Sequence, residues 1–170
     1  MDRIRGKRGF TLLETITVVA VIGVLTMTSL PNIATMLEVR ALNLSAGDIM
    51  SYLQQTRWQA VSTKLNHRLR FVSAGGRWAY VLEVENPAGT WTAKRSLPAK
   101  TIPPKFAPMI SLPESSAVAF AATGFVSGYE SQRSEIALVS SKLGALGREN
   151  RVSIRFFASG SLQLTKTRGG

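Results

Sequence analysis

The chain has 170 residues, enough for about one domain, of which 45% are hydrophobic and 18% charged. This composition excludes both a disordered chain and a multi-span membrane protein. There is no cysteine and a single histidine, His67, which excludes disulfides, thiol catalysis and thiolate metal sites and leaves little basis for a histidine metal centre. Lys and Arg total 21 against 10 acids, a net charge of +11, which favours an anionic partner, either nucleic acid or a lipid surface.

An apolar run occupies residues 10–30, and Glu14 is its only charge. At about 1.5 Å per residue, a helix of this length spans about 31 Å, close to the hydrocarbon thickness of a bilayer. The run therefore predicts a transmembrane helix over residues 10–30. The preceding residues 1–9 are strongly basic, and the positive-inside tendency places this end in the cytoplasm and the remainder of the chain outside it.

Two simpler interpretations of the apolar run are a secretory signal peptide and a plain anchor. A signal peptide has a shorter apolar core followed by a small-residue cleavage site, and a plain anchor does not explain Glu14. A carboxylate inside a bilayer costs about 2.5–3.5 kcal/mol, so it is functional by default and needs a cationic partner. If the chain were cut after Gly9, the new amino terminus of one subunit could neutralise the buried Glu14 of the next.

The segment Arg8-Gly9-Phe10-Thr11-Leu12-Leu13-Glu14 resembles the cleavage motif of type IV prepilins and type II secretion pseudopilins. The resemblance implies a leader over residues 1–9, cleavage between Gly9 and Phe10 by prepilin peptidase, and N-methylation of Phe10. It also implies assembly into a filament in which Glu14 meets a neighbour's amine. The expected partners are other pilin or pseudopilin subunits, the peptidase and inner-membrane lipid, with a single pass, a cytoplasmic amino terminus and a periplasmic globular domain.

Residues 31–66 keep a helical pattern but become amphipathic. Apolar residues recur at steps of three, four and seven, namely Leu42, Ala46, Ile49, Leu53 and Ala60. This spacing predicts a helix with one face on a domain core, joining the membrane segment to the globular part.

From residue 67 the apolar period changes to two, which predicts strands. The expected strands are 69–71, 78–84, 90–93, 117–121, 135–140, 151–157 and 162–165. The proline-rich connection over residues 98–113 is excluded from helix interiors and central strands. The predicted fold is α+β and pilin-like: a long N-terminal helix, transmembrane and then amphipathic, packed on an antiparallel β domain over residues 67–170.

Three segments, 44–72, 118–128 and 151–164, resemble the GspH/FimT subgroup of the pilin superfamily. GspH proteins are minor pseudopilins of type II secretion systems, whereas FimT-like proteins are minor pilins of type IV pili, some of which bind DNA during transformation. The resemblance implies a non-enzymatic subunit of a secretion or pilus machine. Neighbouring genes would separate the two machines.

Catalytic, metal and cofactor sites find no support in the sequence. His67 lies at a helix–strand junction without a supporting motif and is interpreted as structural. Glu83 and Glu85 are two residues apart and are predicted to lie on a solvated strand face. The glycines of residues 124–128 lack the lysine of a phosphate loop and predict a turn.

DNA is the alternative partner. Clustered cations are sufficient for phosphate contacts, and the carboxy-terminal region offers Arg148, Arg151, Arg155, Lys166 and Arg168. DNA-binding FimT-like pilins carry an Arg pair after the late glycine, but here Gly160 is followed by Ser161, Leu162 and Gln163. This departure weighs against that mode of binding.

Overall fold

The structure, a computed structural model, describes residues 10–113 and 116–169, and it leaves the side chains of residues 27–31 undescribed. The predicted leader, residues 1–9, lies outside the described residues. The chain divides into two compact units, Met1–Leu37 and Glu38–Gly170. One helix, α1 (Leu12–Thr63), contributes residues to both units.

The first unit contains the segment predicted to span a membrane. Among the residues that the structure describes, no helix combines the length and the apolar character needed to cross a membrane. The predicted span, residues 10–30, includes residues 27–30, whose side chains are not described.

In the second unit, α1 presents the predicted apolar face to the core. Every one of its five predicted residues is at most 2% exposed: Leu42, Ala46, Ile49, Leu53 and Ala60. Their spacing places them on one stripe of the helix, which confirms the amphipathic pattern. The helix ends at Thr63, before the predicted boundary at residue 66, because Lys64 takes a left-handed conformation with φ of 59°.

Two antiparallel sheets follow the helix. The first has strand order β3-β2-β1-β6, with β4 also pairing with β2. Its strands are β1 (His67–Ala74), β2 (Arg77–Glu85), β3 (Trp91–Ala93), β4 (Lys100–Thr101) and β6 (Ala117–Phe120). Gly75 and Gly76 form the β1–β2 turn with φ of 57° and 74°, as the glycine pair predicts.

The second sheet has strand order β5-β7-β8-β9. Its strands are β5 (Ala107–Ser111), β7 (Glu135–Val139), β8 (Arg151–Phe156) and β9 (Leu162–Thr167). The sequence does not predict β4, β5 or the short helix α2 (Ser141–Ala145). Pro108 lies within β5, an edge strand, where its missing N–H is tolerated.

One apolar core joins α1 to both sheets. It includes Leu69 and Phe120 from the first sheet, Ile154 and Phe156 from the second, and the buried face of α1. Edge-on packing of Tyr52 against Tyr80, with ring centroids 5.0 Å apart, is a favourable aromatic geometry. The helix therefore supplies the surface on which both sheets are assembled.

Three lysines of the connection between β3 and β5 bind α1 at intervals along its length. Lys94 donates to Gln59, Lys100 lies 2.7 Å from Asp48, and Lys105 lies 3.1 Å from Glu38. Glu38 also accepts a hydrogen bond of 3.2 Å from Ser140, whose hydroxyl caps α2. Because the three contacts reach α1 at different points, the segment from Lys94 to Lys105 is held along the helix.

His67 is buried at the start of β1, with 1% of its surface exposed. Its Nδ1 lies 3.0 Å from the carbonyl oxygen of Leu65; since a carbonyl can only accept, Nδ1 carries the proton. Burial lowers the pKa of His67 below its ordinary 6.5, assisted by the charge of Lys94 and opposed by the Leu65 hydrogen bond. The folded chain therefore holds a neutral imidazole, as a structural histidine requires.

His67 should make the free energy of unfolding depend on pH. The unfolded chain takes up the proton first as the pH falls, so the stabilisation is complete above about pH 6.5 and declines towards the lowered pKa of the folded state. We expect a slope of up to about 1.4 kcal/mol per pH unit in this window, measured by denaturant unfolding of the full chain in detergent. His67→Gln should flatten the slope; an unchanged slope would contradict the assignment, because no other histidine is present.

Candidate processing and assembly site

Phe10 and Glu14, the predicted processing and assembly residues, lie at the start of α1. Thr11 precedes the helix, and its Oγ1 accepts a hydrogen bond of 3.2 Å from the backbone N–H of Glu14. A threonine N-cap followed three residues later by glutamate has the sequence of a capping box. A carboxylate in the first turn also complements the helix dipole. Glu14 therefore also has a local role in starting α1, beyond the predicted role in assembly.

The Glu14 carboxylate is available to a partner. Its side chain is exposed, and among the described residues no basic group lies within 4.0 Å of it. Exposed apolar side chains surround the helix beside it, including Leu12, Leu13, Ile16, Val19, Ile22 and Leu25. A helix that is apolar on all sides is stable when lipid or other protein covers it. The Gly9–Phe10 junction includes an undescribed residue, so cleavage there stays a prediction.

Arg57 joins two glycine turns that lie far apart in the sequence. Its Nε donates to the carbonyl of Gly124 at 3.1 Å, and its Nη1 donates to the carbonyl of Gly160 at 3.2 Å. Both glycines have positive φ, 84° and 77°. In the sequence, Arg57 begins a run, residues 57–77, that contains basic but no acidic side chains, a pattern suited to phosphate. Its guanidinium instead connects α1 to the turns after β6 and β8.

Two of the five proposed phosphate-contact residues are engaged by one carboxylate. Arg151 lies 2.7 Å and Arg155 3.7 Å from Glu135. A hydrogen bond from Ser153, followed by the hydrogen bond from Arg151, lowers the pKa of the Glu135 carboxyl below its ordinary value. The carboxylate therefore stays ionised at neutral pH and offsets part of the positive charge on this face of the second sheet.

The other three basic residues do not all share that face. Lys166 pairs with the buried Val152 in the β8–β9 register and lines a cavity of about 330 Å³ that also includes Arg148. Arg168 lines a separate cavity of about 380 Å³ beside Glu135. Alternate residues of a strand point to opposite sides, so Lys166 and Arg155 are separated by the sheet. The basic residues that form one cluster in the sequence are thus divided between two sides of the sheet, and only Arg151 lines both cavities.

The prediction that Glu83 lies on a solvated strand face is wrong. Its side chain is 7% exposed and lies 2.6 Å from Arg68 and 3.3 Å from Arg70. Arg68 also lies 4.3 Å from the ring centre of Trp91. The reason is register: β2 lies between β1 and β3, and Arg68 is the direct cross-strand partner of Glu83.

Comparison with known proteins gives two similarities. Residues 4–30 match the family described as the prokaryotic N-terminal methylation motif. No curated protein is significantly similar to the chain in sequence. The fold is similar to that of the minor pseudopilin EpsH from the type 2 secretion system of Vibrio cholerae, with a TM-score of 0.54, 11% sequence identity, and coverage of 76% of this chain and 98% of that chain. The α+β, pilin-like fold predicted from the sequence is confirmed.

Proposed function

We propose that the chain is a minor pseudopilin of a type II secretion machine, a subunit that is processed by prepilin peptidase and assembled into a filament. The observation that supports this most strongly is a combination: a methylation motif over residues 4–30 leads into a chain with the fold of a minor pseudopilin. Either feature alone also occurs in other settings, since a basic, apolar amino terminus can be a simple anchor and a fold does not fix a function.

In this proposal, the peptidase cuts between Gly9 and Phe10 and methylates the Phe10 amine. Residues 10–30 hold the subunit in the bacterial inner membrane, with the basic end cytoplasmic and the second unit periplasmic. The exposed apolar side chains of the first unit then contact lipid before assembly and neighbouring helices after it. Glu14, which has no cation beside it among the described residues, binds the amine of an adjacent subunit.

The proposed role is mechanical rather than catalytic. The buried ionisable groups have structural partners: Glu83 binds two arginines, Glu38 binds Lys105 and Ser140, and His67 lies against a backbone carbonyl. A catalytic acid or base must lie within hydrogen-bond reach of the substrate atom to which it gives, or from which it takes, a proton. These contacts account for the buried charges through packing and register.

DNA uptake is the less favoured function. Arg151 and Arg155 share Glu135, and Lys166 lies on the opposite side of the second sheet from Arg155. Phosphate contacts require cations that can approach one nucleic-acid backbone together. The segment after Gly160 also lacks the arginines of the DNA-binding relatives.

Intact mass measurement tests the processing step. With an active prepilin peptidase in the same cell, the membrane-extracted protein should have the mass of residues 10–170 plus one methyl group. Gly9→Val should retain the leader, because a bulky residue at the cut site blocks the peptidase, while Gly23→Ala, whose added methyl group meets no atom within 4 Å, should be processed normally. A wild-type protein that keeps residues 1–9 beside the active peptidase would refute the proposal.

A further inference from the structure

Strand β9 leaves one edge of the second sheet open. Among the described residues, β8 is its only strand neighbour. The opposite edge strand, β5, contains Pro108, which removes a backbone donor and protects that edge from further pairing. Strand β9 contains no proline. The sheet is therefore closed to strand addition on one side and open on the other.

The hydrogen-bond pattern identifies which groups face the open edge. The N–H of Phe157 donates to the carbonyl of Ser161 at 3.0 Å, next to the Phe156–Leu162 pair. Bonded and non-bonded pairs alternate along an antiparallel ladder. Gln163, Thr165 and Thr167 therefore bond to β8, and the N–H and C=O groups of Leu162, Leu164 and Lys166 point away from it.

Two cavities near the ends of β9 are lined by residues of both this strand and α1. Near Leu162 the cavity has a volume of about 360 Å³ and includes Trp58 and Val61. Near Lys166 the cavity has a volume of about 330 Å³ and includes Leu42. The two ends are four strand residues apart, about 13 Å. Because Leu162 lies beside residues 58 and 61 of α1 and Lys166 beside residue 42, the strand and the helix run in opposite directions. We call the open edge of β9 together with these two cavities the β9 groove.

The two ends of the groove differ in chemistry. Trp58 is 64% and Val61 39% exposed, so the Leu162 end is apolar. The Lys166 end carries Arg148, Arg151 and Lys166 against Glu149. Strand addition binds an extended peptide through main-chain hydrogen bonds to an open sheet edge, and pockets for alternate side chains give it specificity. The β9 edge and its two cavities offer both.

We propose that the β9 groove binds an extended segment of an acidic partner protein, which adds to the sheet beside β9. The segment places an apolar side chain against Trp58 and a carboxylate, four residues away, beside Lys166. A second copy of this chain is disfavoured as occupant, because a net charge of +11 makes the two copies repel. The proposal goes beyond the proposed function and does not depend on it.

The test uses fluorescent synthetic peptides and the full chain in detergent. The parent peptide has eight alternating Thr and Val residues, with one replaced by Leu and the residue four positions later replaced by Glu. Because its Leu must lie at the Trp58 end and its Glu at the Lys166 end, the peptide can bind in one direction only. Only one of the two edges of its backbone can then bond to β9. We expect N-methylation of alternate amides on that edge to weaken binding at least tenfold, whereas methylation of the opposite edge leaves binding intact.

A charge exchange provides the second arm. Lys166→Glu should weaken binding of the Glu peptide at least tenfold and make a peptide with Lys in place of Glu the better ligand. Lys142→Glu, at an exposed position on α2 outside the groove, should change neither affinity. Equal binding of both methylated peptides, or no reversal in the Lys166 variant, would overturn the proposal. So would self-association of the chain that the parent peptide displaces, since it would assign the groove to a second copy. None of these binding measurements requires processing or filament assembly, so the result is independent of the proposed function.

Discussion

Glu14→Gln should reduce crosslinking of the subunit into its assembly at least tenfold while leaving α1 intact. Glutamine retains the capping-box pattern with Thr11, so the variant removes the charge without removing the helix start. In the assembly, the loss would leave a neighbour's buried ammonium without its counter-charge, and breaking a buried ion pair in this way costs about 3–5 kcal/mol. Cysteine crosslinking between subunits in membranes measures the effect, and insertion should not suffer because removing a charge makes insertion easier.

Thr11→Ala is the matched control for Glu14→Gln. It removes the hydroxyl that accepts the Glu14 N–H and keeps the carboxylate. The loss of an N-cap costs about 1 kcal/mol of helix stability, but crosslinking should stay close to that of the wild type. If both variants lose crosslinking equally, Glu14 acts only through the helix start. If neither loses it, the carboxylate has no role in assembly.

Local sequence patterns were sufficient to predict most of the fold. The helical stripe of Leu42, Ala46, Ile49, Leu53 and Ala60 is buried as its spacing predicts, and the period-two runs of the β domain became strands. Such patterns succeed because the side chains that decide them are neighbours on one element. Strands β4 and β5 were missed, since they lie in a proline-rich connection whose position depends on contacts with α1 and with other strands.

Pairings across the fold could not be predicted, and they determine where the charges lie. The sequence predicted a solvated face for Glu83, but the β1–β2 register places Arg68 opposite it. Arg57 begins a basic run in the sequence, but its guanidinium bonds to carbonyls 67 and 103 residues away. A single sequence contains no signal for such distant partners. The same limit applies to the surface charge, because Glu135 offsets arginines that follow it on a different strand.

The Arg57 contact also explains why residue 160 is a glycine. A Cβ atom on Gly160 would collide with the carbonyl oxygen of Gly124 and lie 2.9 Å from Nε of Arg57. At Gly128, φ is also positive, 62°, but an added Cβ meets no atom within 4 Å. Gly160 and Gly128 therefore both need a left-handed backbone, but only Gly160 lacks space for a side chain.

Gly160→Ala should accordingly destabilise the chain more than Gly128→Ala does. A left-handed conformation costs a non-glycine residue about 1–2 kcal/mol, which is the whole effect expected at Gly128. At Gly160 the collision adds about 1–3 kcal/mol for overpacking, a total loss of about 2–5 kcal/mol in the free energy of unfolding, measured by urea denaturation of the full chain in detergent. Equal losses at the two positions would show that the turns after β6 and β8 do not approach closely. A larger loss at Gly160 would show that Arg57 and the two turns form one packed unit at the Trp58 end of the β9 groove.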